Sequence, residues 1–262
     1  MSEYSQFDHP EILSSLFHPR TEEERSRTGE NIIELTIPVE QGINIGGKIF
    51  IAGTQFPSIL FFHGNGEIVI DYDDLGPLYV DRGFNFIPVD YRGYGRSNGR
   101  PTVSSMMTDC HAIFRYISTW LVDNGFRGAF LVMGRSLGSA AALELASRHA
   151  DQIDGLIIES GFAYALPLLR IIGVNTERLG LREEEGFRNC DKIMAFNKPT
   201  LVIHAERDHI IPYRDGLKLF ESSQATHKKM LTIPLADHNT IFMHGLKEYL
   251  AAVKELGHAV SS

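Results

Sequence analysis

The sequence predicts an α/β fold on a mostly parallel, doubly wound sheet, and three observations carry that prediction. Short apolar runs recur along the chain, separated by segments of helix length. One of them, Ala129-Phe130-Leu131-Val132-Met133, is apolar throughout, as a strand buried on both faces requires. The residues with chemistry to offer stand just after such runs, where an open α/β sheet places its ligand crevice.

Taken in order, residues 1–30 read as an N-terminal extension and 31–262 as the main domain. In the extension, Pro10 to Phe17 has the spacing of a short amphipathic helix behind a proline. Thr21 to Glu30 reads as a solvated, charged connection, and the acids Glu22, Glu23 and Glu24 argue against a transit peptide. Ile32–Val39 and Ile43–Ala52, joined at Glu40-Gln41-Gly42, predict an antiparallel hairpin. Ser58–Phe62 is a buried strand, followed by a Gly-rich turn and a helix to about Arg82. Phe84–Val89 is the next strand, with a helix over roughly Ser104–Val122. After the Ala129 run and its helix come strands at Ile153–Ile158 and Leu201–Ile203 and a helix at about Arg214–Ser222. A last strand, Lys229–Pro234, and a closing helix over about Thr240–Leu256 complete the pattern.

Composition narrows the function classes. With 262 residues, 43% hydrophobic and 22% charged, the chain can bury a sizeable core. A formal charge of −8 without a Lys/Arg cluster disfavours nucleic acid as a partner. No run approaches the apolar length of an integral membrane segment, and no leader pattern opens the chain. Cys110 and Cys190 have no metal-type spacing and read as reduced structural residues, so a cytoplasmic location is expected.

The chemistry centres on Gly134-Arg135-Ser136-Leu137-Gly138, between the Ala129 run and the Ala/Leu-rich segment from Ser139 to Ala146. A Gly-x-Ser-x-Gly turn from strand to helix is a nucleophile elbow: the hydroxyl is held out of the strand, and residues two positions away must lack side chains. The base and acid are expected downstream, each after a strand. His204-Ala205-Glu206-Arg207-Asp208-His209 offers an acid and Leu235-Ala236-Asp237-His238-Asn239 a base. Asp208 and His238 stand in the chain order Ser, Asp, His expected of such a fold. Glu206 and Glu159 compete with Asp208 for the acid, and Asp237 reads as a turn residue. The turn His63-Gly64-Asn65-Gly66-Glu67 presents backbone N–H groups. The N–H of Asn65, with Gly66 as alternative, and that of Leu137 are the expected oxyanion donors. His63 is expected to brace this turn, and Asp90 to Ser97 to wall the pocket.

As a set, His63-Gly64-Asn65-Gly66, Asp90-Tyr91-Arg92-Gly93-Tyr94-Gly95-Arg96-Ser97, the Ser136 elbow, Asp208 and Asp237-His238-Asn239 resemble the α/β-hydrolase superfamily. More narrowly, the chain resembles the abhydrolase-domain serine hydrolases, which include esterases and protein-depalmitoylating thioesterases. The resemblance covers roughly residues 30–260 and implies an α/β-hydrolase fold with Ser136 as nucleophile, Asp208 as acid and His238 as base. It also implies an oxyanion hole from Asn65 and Leu137. The chain departs from the family in lacking a His-Gly-Gly-Gly turn and any cysteine before Cys110.

Residues 162–198 fall where that family inserts its cap. The segment is short, and its apolar Phe162–Ile172 stretch reads equally as a pocket cover or as a plain crossover helix. The expected function is a cofactor-free, metal-free serine hydrolase acting on a small-molecule acyl ester or thioester. A peptidase with the same triad and a non-catalytic hydrolase-like binding protein are the alternatives.

Overall fold

The computed structural model describes residues 4–23 and 28–260. Eight strands form one sheet in the order β1-β2-β4-β3-β5-β6-β7-β8. They are β1 Ile32–Glu40, β2 Ile43–Phe50, β3 Ser58–Phe62, β4 Asn85–Val89, β5 Phe130–Arg135, β6 Gly155–Glu159, β7 Thr200–Ala205 and β8 Lys228–Ile233. The β1–β2 hairpin and the β2–β4 pairing are antiparallel, and all remaining pairs are parallel. Hairpin, parallel sheet and strand positions therefore agree with the sequence reading to within a few residues.

Successive side chains of each strand point to opposite faces, and the core divides accordingly. In β3, Leu60 and Phe62 pack on one side with helices α3 Val103–Asp123 and α4 Gly138–Arg148, among others. Ile59 and Phe61 pack on the other side with α2 Gly76–Val80 and α8 Ile241–Val260. Helices on both faces bury the central strands, while β1 keeps one face toward solvent. The register aligns Phe62 with Gly134, Arg135 with Glu159 and Ala205 with Ile233. The loops following β3, β5, β6, β7 and β8 consequently share one rim.

Two elements differ from expectation. The helix expected to run to Arg82 is a 3-10 turn, Val69–Tyr72, and the short α2. The Asp71 carboxylate accepts the Ile68 N–H and so starts the 3-10 turn, while Pro77, in the first turn of α2, lacks the N–H and would clash with a preceding helical turn, so the two cannot join as one helix. Helix α8 extends to Val260 but kinks at Gly245, where a Cβ would lie 2.6 Å from the Ile233 side chain. The Asp90–Ser97 stretch, expected to wall the pocket, lines a small cavity through Asp90, Tyr91 and Arg92. Tyr91 donates its hydroxyl to the His63 carbonyl, and Arg92 forks onto Asp109 at 2.7 Å, so the stretch buttresses the rim from behind.

The N-terminal residues are knitted into the main body. Helix α1, Pro10–Leu16, forms as expected, and Phe7, Ile12, Leu16 and Phe17 are buried. Tyr4 donates its hydroxyl to Glu144, Phe7 packs on Phe187, and Glu11 pairs with Arg178. Farther along, the His18 N–H donates to Asn65 Oδ1 at 2.9 Å and Arg20 Nε to the Gly66 carbonyl at 2.8 Å. The segment thus clasps both residues 162–198 and the turn after β3. The charged connection expected over Thr21–Glu30, with its acidic run, lies partly outside the described residues.

Between β6 and β7, the cap segment folds as α5 Ala165–Ile171, a 3-10 turn at Glu183–Glu185 and α6 Asn189–Met194. The Glu183 carboxylate accepts the N–H groups of Ala165 and Leu166, closing the start of α5. Leu169, Val174, Phe187, Ile193 and Phe196 are buried beneath it. Helix α7, Tyr213–Ser222, follows β7. Among the described residues, no helix is long and apolar enough to cross a membrane.

Candidate active site

Ser136 follows β5 directly, with φ +52°, a left-handed conformation uncommon for a residue with a side chain. Such a backbone costs of the order of 1–3 kcal/mol and is held only where its surroundings over-determine it. Here they do. The Ser136 N–H donates to the Glu159 carbonyl at 2.9 Å, and its carbonyl accepts from the Ser139 hydroxyl at 2.6 Å. A Cβ on Gly134 would sit 2.3 Å from the Gly138 carbonyl oxygen, and one on Gly138 would sit 2.1 Å from that of Phe62. Both glycines are fixed by backbone crossings that no side-chain movement can relieve.

The turn brings Ser136 to two residues distant in sequence. Its Oγ lies 3.0 Å from His238 Nε2, and His238 Nδ1 lies 2.7 Å from Asp208 Oδ2. All three side chains are nearly buried. Asp208 Oδ1 accepts the N–H groups of Ile210 and Ile211, at 3.0 and 2.8 Å, which locks the carboxylate plane. Burial alone would push this carboxyl up, but the His238 ring and the Ile211 N–H together hold it below the ordinary aspartate value. Asp208 is therefore ionised and aimed at Nδ1, the arrangement that leaves Nε2 to face the hydroxyl.

The competing acids have other occupations. Glu206 is exposed and accepts the Leu235 N–H, while Glu159 is engaged by Arg135 and Tyr249. Asp237 accepts from the Asn239 N–H and the Thr240 hydroxyl, the turn role its sequence position suggests. His209, next to the acid, is exposed.

Opposite Ser136, the turn after β3 carries Asn65. Among the described residues neither the N–H of Asn65 nor that of Leu137, at the start of α4, has a protein acceptor. The Asn65 side chain is pinned from outside, accepting from the His18 N–H and from the Tyr94 hydroxyl at 2.8 Å. His63 is fully buried, edge-on to Tyr91.

Three charged or titratable side chains escaped the sequence reading. Arg135 is read there only as the variable position of the elbow, Glu67 only as the end of a turn, and His204 only as the first residue of a loop. In the structure Arg135 is buried between Glu67 and Glu159 and donates to the His238 carbonyl at 2.8 Å. Removing one partner from such a buried cluster typically costs about 3–5 kcal/mol. The only hint in sequence is that Arg135, Glu67 and Glu159 each stand at or just after a buried strand, where an unpaired charge is intolerable.

His204 is fully buried in β7, its Nε2 2.8 Å from the Ile211 carbonyl and 3.6 Å from Asp208 Oδ2. Burial holds its pKa below the ordinary histidine value, against the pull of the Ile211 carbonyl and Asp208. The unfolded chain then takes up this proton first as pH falls, so stability is lost downward from about pH 6.5. His204→Gln is expected to lose less stability than wild type between about pH 7.5 and about pH 5.5 in urea unfolding. Equal losses in both proteins would rule His204 out as the responsible group.

The comparisons with known proteins decide the family. The family described as serine aminopeptidase, S33, matches residues 55–175. Alpha/beta hydrolase domain-containing protein 17B from Homo sapiens is 30% identical over 205 residues, 76% of this chain and 65% of that protein. The chain is an abhydrolase-domain α/β-hydrolase. The matched part spans less than two thirds of that relative's length. Protein bem46 from Schizosaccharomyces pombe is 26% identical over 70% of this hydrolase and 62% of its own length. Solved structures share the fold. The Pyrococcus furiosus esterase Pf2001 superposes with a TM-score of 0.71 at 16% identity, covering 94% of this chain and 98% of its own. Est1E from Butyrivibrio proteoclasticus, solved with ferulic acid bound, gives 0.69 at 18% identity, covering 87% and 100%.

Cavities open elsewhere on the molecule. One of about 590 Å³, lined in part by Phe56, Arg82, Phe84, Lys254 and His258, opens at the amino ends of β3 and β4, away from Ser136. Another of about 370 Å³ lies in the cap between Tyr164, Glu183, Glu184, Arg188 and Asp191. Its lining mixes these charged side chains with apolar surface from Ala163, Tyr164 and Cys190.

Proposed function

We propose that this hydrolase cleaves carboxylic esters or thioesters of small-molecule acyl substrates through a covalent acyl-enzyme. The observation that carries the reading is the continuous line from Ser136 Oγ to His238 to Asp208, with both links at hydrogen-bond distance. In this mechanism His238 Nε2 takes the hydroxyl proton as Ser136 Oγ attacks the acyl carbon. The N–H groups of Asn65 and Leu137 hold the oxyanion that forms. His238 then gives its proton to the departing alkoxide or thiolate, and the acyl group stays on Ser136. A water molecule, deprotonated by His238, attacks the acyl-enzyme, and the carboxylic acid leaves with Oγ reprotonated. The shortness of the segment between β6 and β7 supports small or exposed acyl groups over long lipid chains.

A peptidase reading has one specific support, the serine aminopeptidase description of the family matched by residues 55–175. The two readings separate in one experiment. The protein is reacted with a fluorophosphonate probe and offered p-nitrophenyl esters of graded chain length, acyl thioesters and aminoacyl p-nitroanilides. Labelling with ester or thioester turnover that is highest at short chain length is the expected result. Turnover confined to the anilides would replace the esterase reading with the peptidase one. Folded protein that neither labels nor turns over any of them would leave a hydrolase-like binding protein.

A further inference from the structure

Among the described residues the rim holds one buried cluster that the acyl-transfer steps do not use. Arg135, one residue before the nucleophile, reaches in three directions. Its Nε donates to Glu159 at 3.0 Å, at the end of the neighbouring strand β6. One terminal nitrogen binds Glu67, and the other donates to the backbone carbonyl of His238 at 2.8 Å.

Each partner is itself committed. Glu67 Oε2 accepts the Gly64 N–H at 2.7 Å and the Tyr72 hydroxyl at 2.6 Å. Glu159 Oε2 accepts the Tyr249 hydroxyl at 2.7 Å, and that hydroxyl lies 3.1 Å from the hydroxyl of Tyr79. The packing around the guanidinium admits nothing more: a Cβ on Gly64 would stand 2.7 Å from Arg135 Nη1 and 2.9 Å from Glu67 Oε2. Burial disfavours charge on Glu67, yet Arg135, the Tyr72 hydroxyl and the Gly64 N–H hold its carboxyl below the ordinary glutamate value. The cation and the Glu67 anion are both present at neutral pH.

We propose that Arg135 is a positioning residue for acyl transfer, one planar cation that sets the nucleophile, the base and the first oxyanion donor relative to one another. The nucleophile is its chain neighbour. The base is held through the carbonyl of His238 itself. The donor is held through Glu67 and the Gly64 N–H, the peptide unit before the Asn65 N–H. These three groups sit on loops after β5, β8 and β3, which share no other direct polar link to one another than the Ser136–His238 contact among the described residues. Only a guanidinium offers donors in three coplanar directions; an ammonium on a flexible stem does not keep them in register. The proposal rests on the acyl-enzyme reading above.

The test compares wild type with Arg135→Lys, Arg135→Met and Glu67→Gln. Glu67→Gln keeps the shape but turns an amide donor toward the guanidinium or toward Gly64, so it cuts the link to the oxyanion turn with little change of volume. Functional sites are counted by the stoichiometry of fluorophosphonate labelling, and acylation rate and KM are measured per labelled site with a p-nitrophenyl ester. Misplacement of reacting groups by about 1 Å costs about 10²-fold. The expected result is a 10- to 100-fold (about one to two decades) fall in kcat per site with KM within about threefold of wild type, smaller in Arg135→Lys than in Arg135→Met. A purely structural role would instead lower the number of labelled sites while each kept the wild-type rate, and that result overturns the proposal. Should the Arg135 variants yield no folded protein, Glu67→Gln alone decides, on the same two outcomes. A wild type that never labels overturns the acyl-enzyme reading itself and this inference with it.

Discussion

Ser136→Ala is expected to lower kcat for ester hydrolysis by about 10⁶-fold and to abolish fluorophosphonate labelling, while the folded protein keeps its thermal stability. The loss is large because Oγ is the attacking atom and nothing replaces it. The residual rate, from oxyanion donors and substrate binding, would still exceed that in water. The fold is expected to survive because the hydroxyl makes one side-chain contact, to His238 Nε2 at 3.0 Å, whereas the hydrogen bonds that hold the elbow come from the Ser136 backbone. Alanine also tolerates the +52° φ no worse than serine, since both carry a Cβ. Stopped-flow measurement of the acylation burst, with thermal unfolding of the same preparations, checks both halves. A variant that still showed a burst would place the nucleophile elsewhere.

Asp208→Asn is expected to cost about 10⁴-fold in kcat at neutral pH with the geometry unchanged. The argument turns on which atoms of the amide can satisfy the site. Asp208 Oδ1 accepts two backbone N–H groups, from Ile210 and Ile211, so an asparagine carbonyl oxygen must take that place. Its NH₂ then faces His238 Nδ1, where the carboxylate oxygen stood at 2.7 Å. Two donors cannot face one another, so the imidazole moves its proton to Nε2 and confronts Ser136 as a donor. The base is lost without any atom moving far. NMR of the imidazole nitrogens would report the tautomer directly, and an Asp208→Asn protein with wild-type kcat would assign the acid to another residue.

The same physics explains what could be read from sequence. Ser136 is legible because its turn demands glycines at fixed spacing, and the structure shows the backbone crossings that impose them. Asp208 and His238 are legible because each follows an apolar run and the fold orders them along the chain. The break before the short helix α2 was only partly legible: Pro77 marks the start of a new helix, but nothing in the pattern of Val69–Val80 announces that the preceding turn is a 3-10 turn capped by Asp71. Arg135 was hidden for a different reason. Between Gly134 and Ser136 any residue type can stand, and the meaning of Arg135 depends on Glu159, which the parallel register brings beside it, and on Glu67 on the turn after β3. The role of the N-terminal segment was equally unreadable, because amphipathic spacing identifies a buried face but not what it is buried against.

That last segment has a consequence for how the chain is made. The Tyr4 hydroxyl meets Glu144 and Lys192, and Gln6 meets the carbonyl of Glu185, contacts that span 140, 188 and 179 residues. During synthesis at roughly 5–20 residues per second, residues 4–20 leave the ribosome many seconds before their partners exist. Phe7, Ile12, Leu16 and Phe17 cannot be fully buried through that interval, because part of the surface they pack on, around Phe187, comes only with residues 162–198. Closing so long a loop is entropically costly and kinetically slow. Helix α1 is therefore among the last elements to be seated, and the contact from the His18 N–H to Asn65 forms only with it.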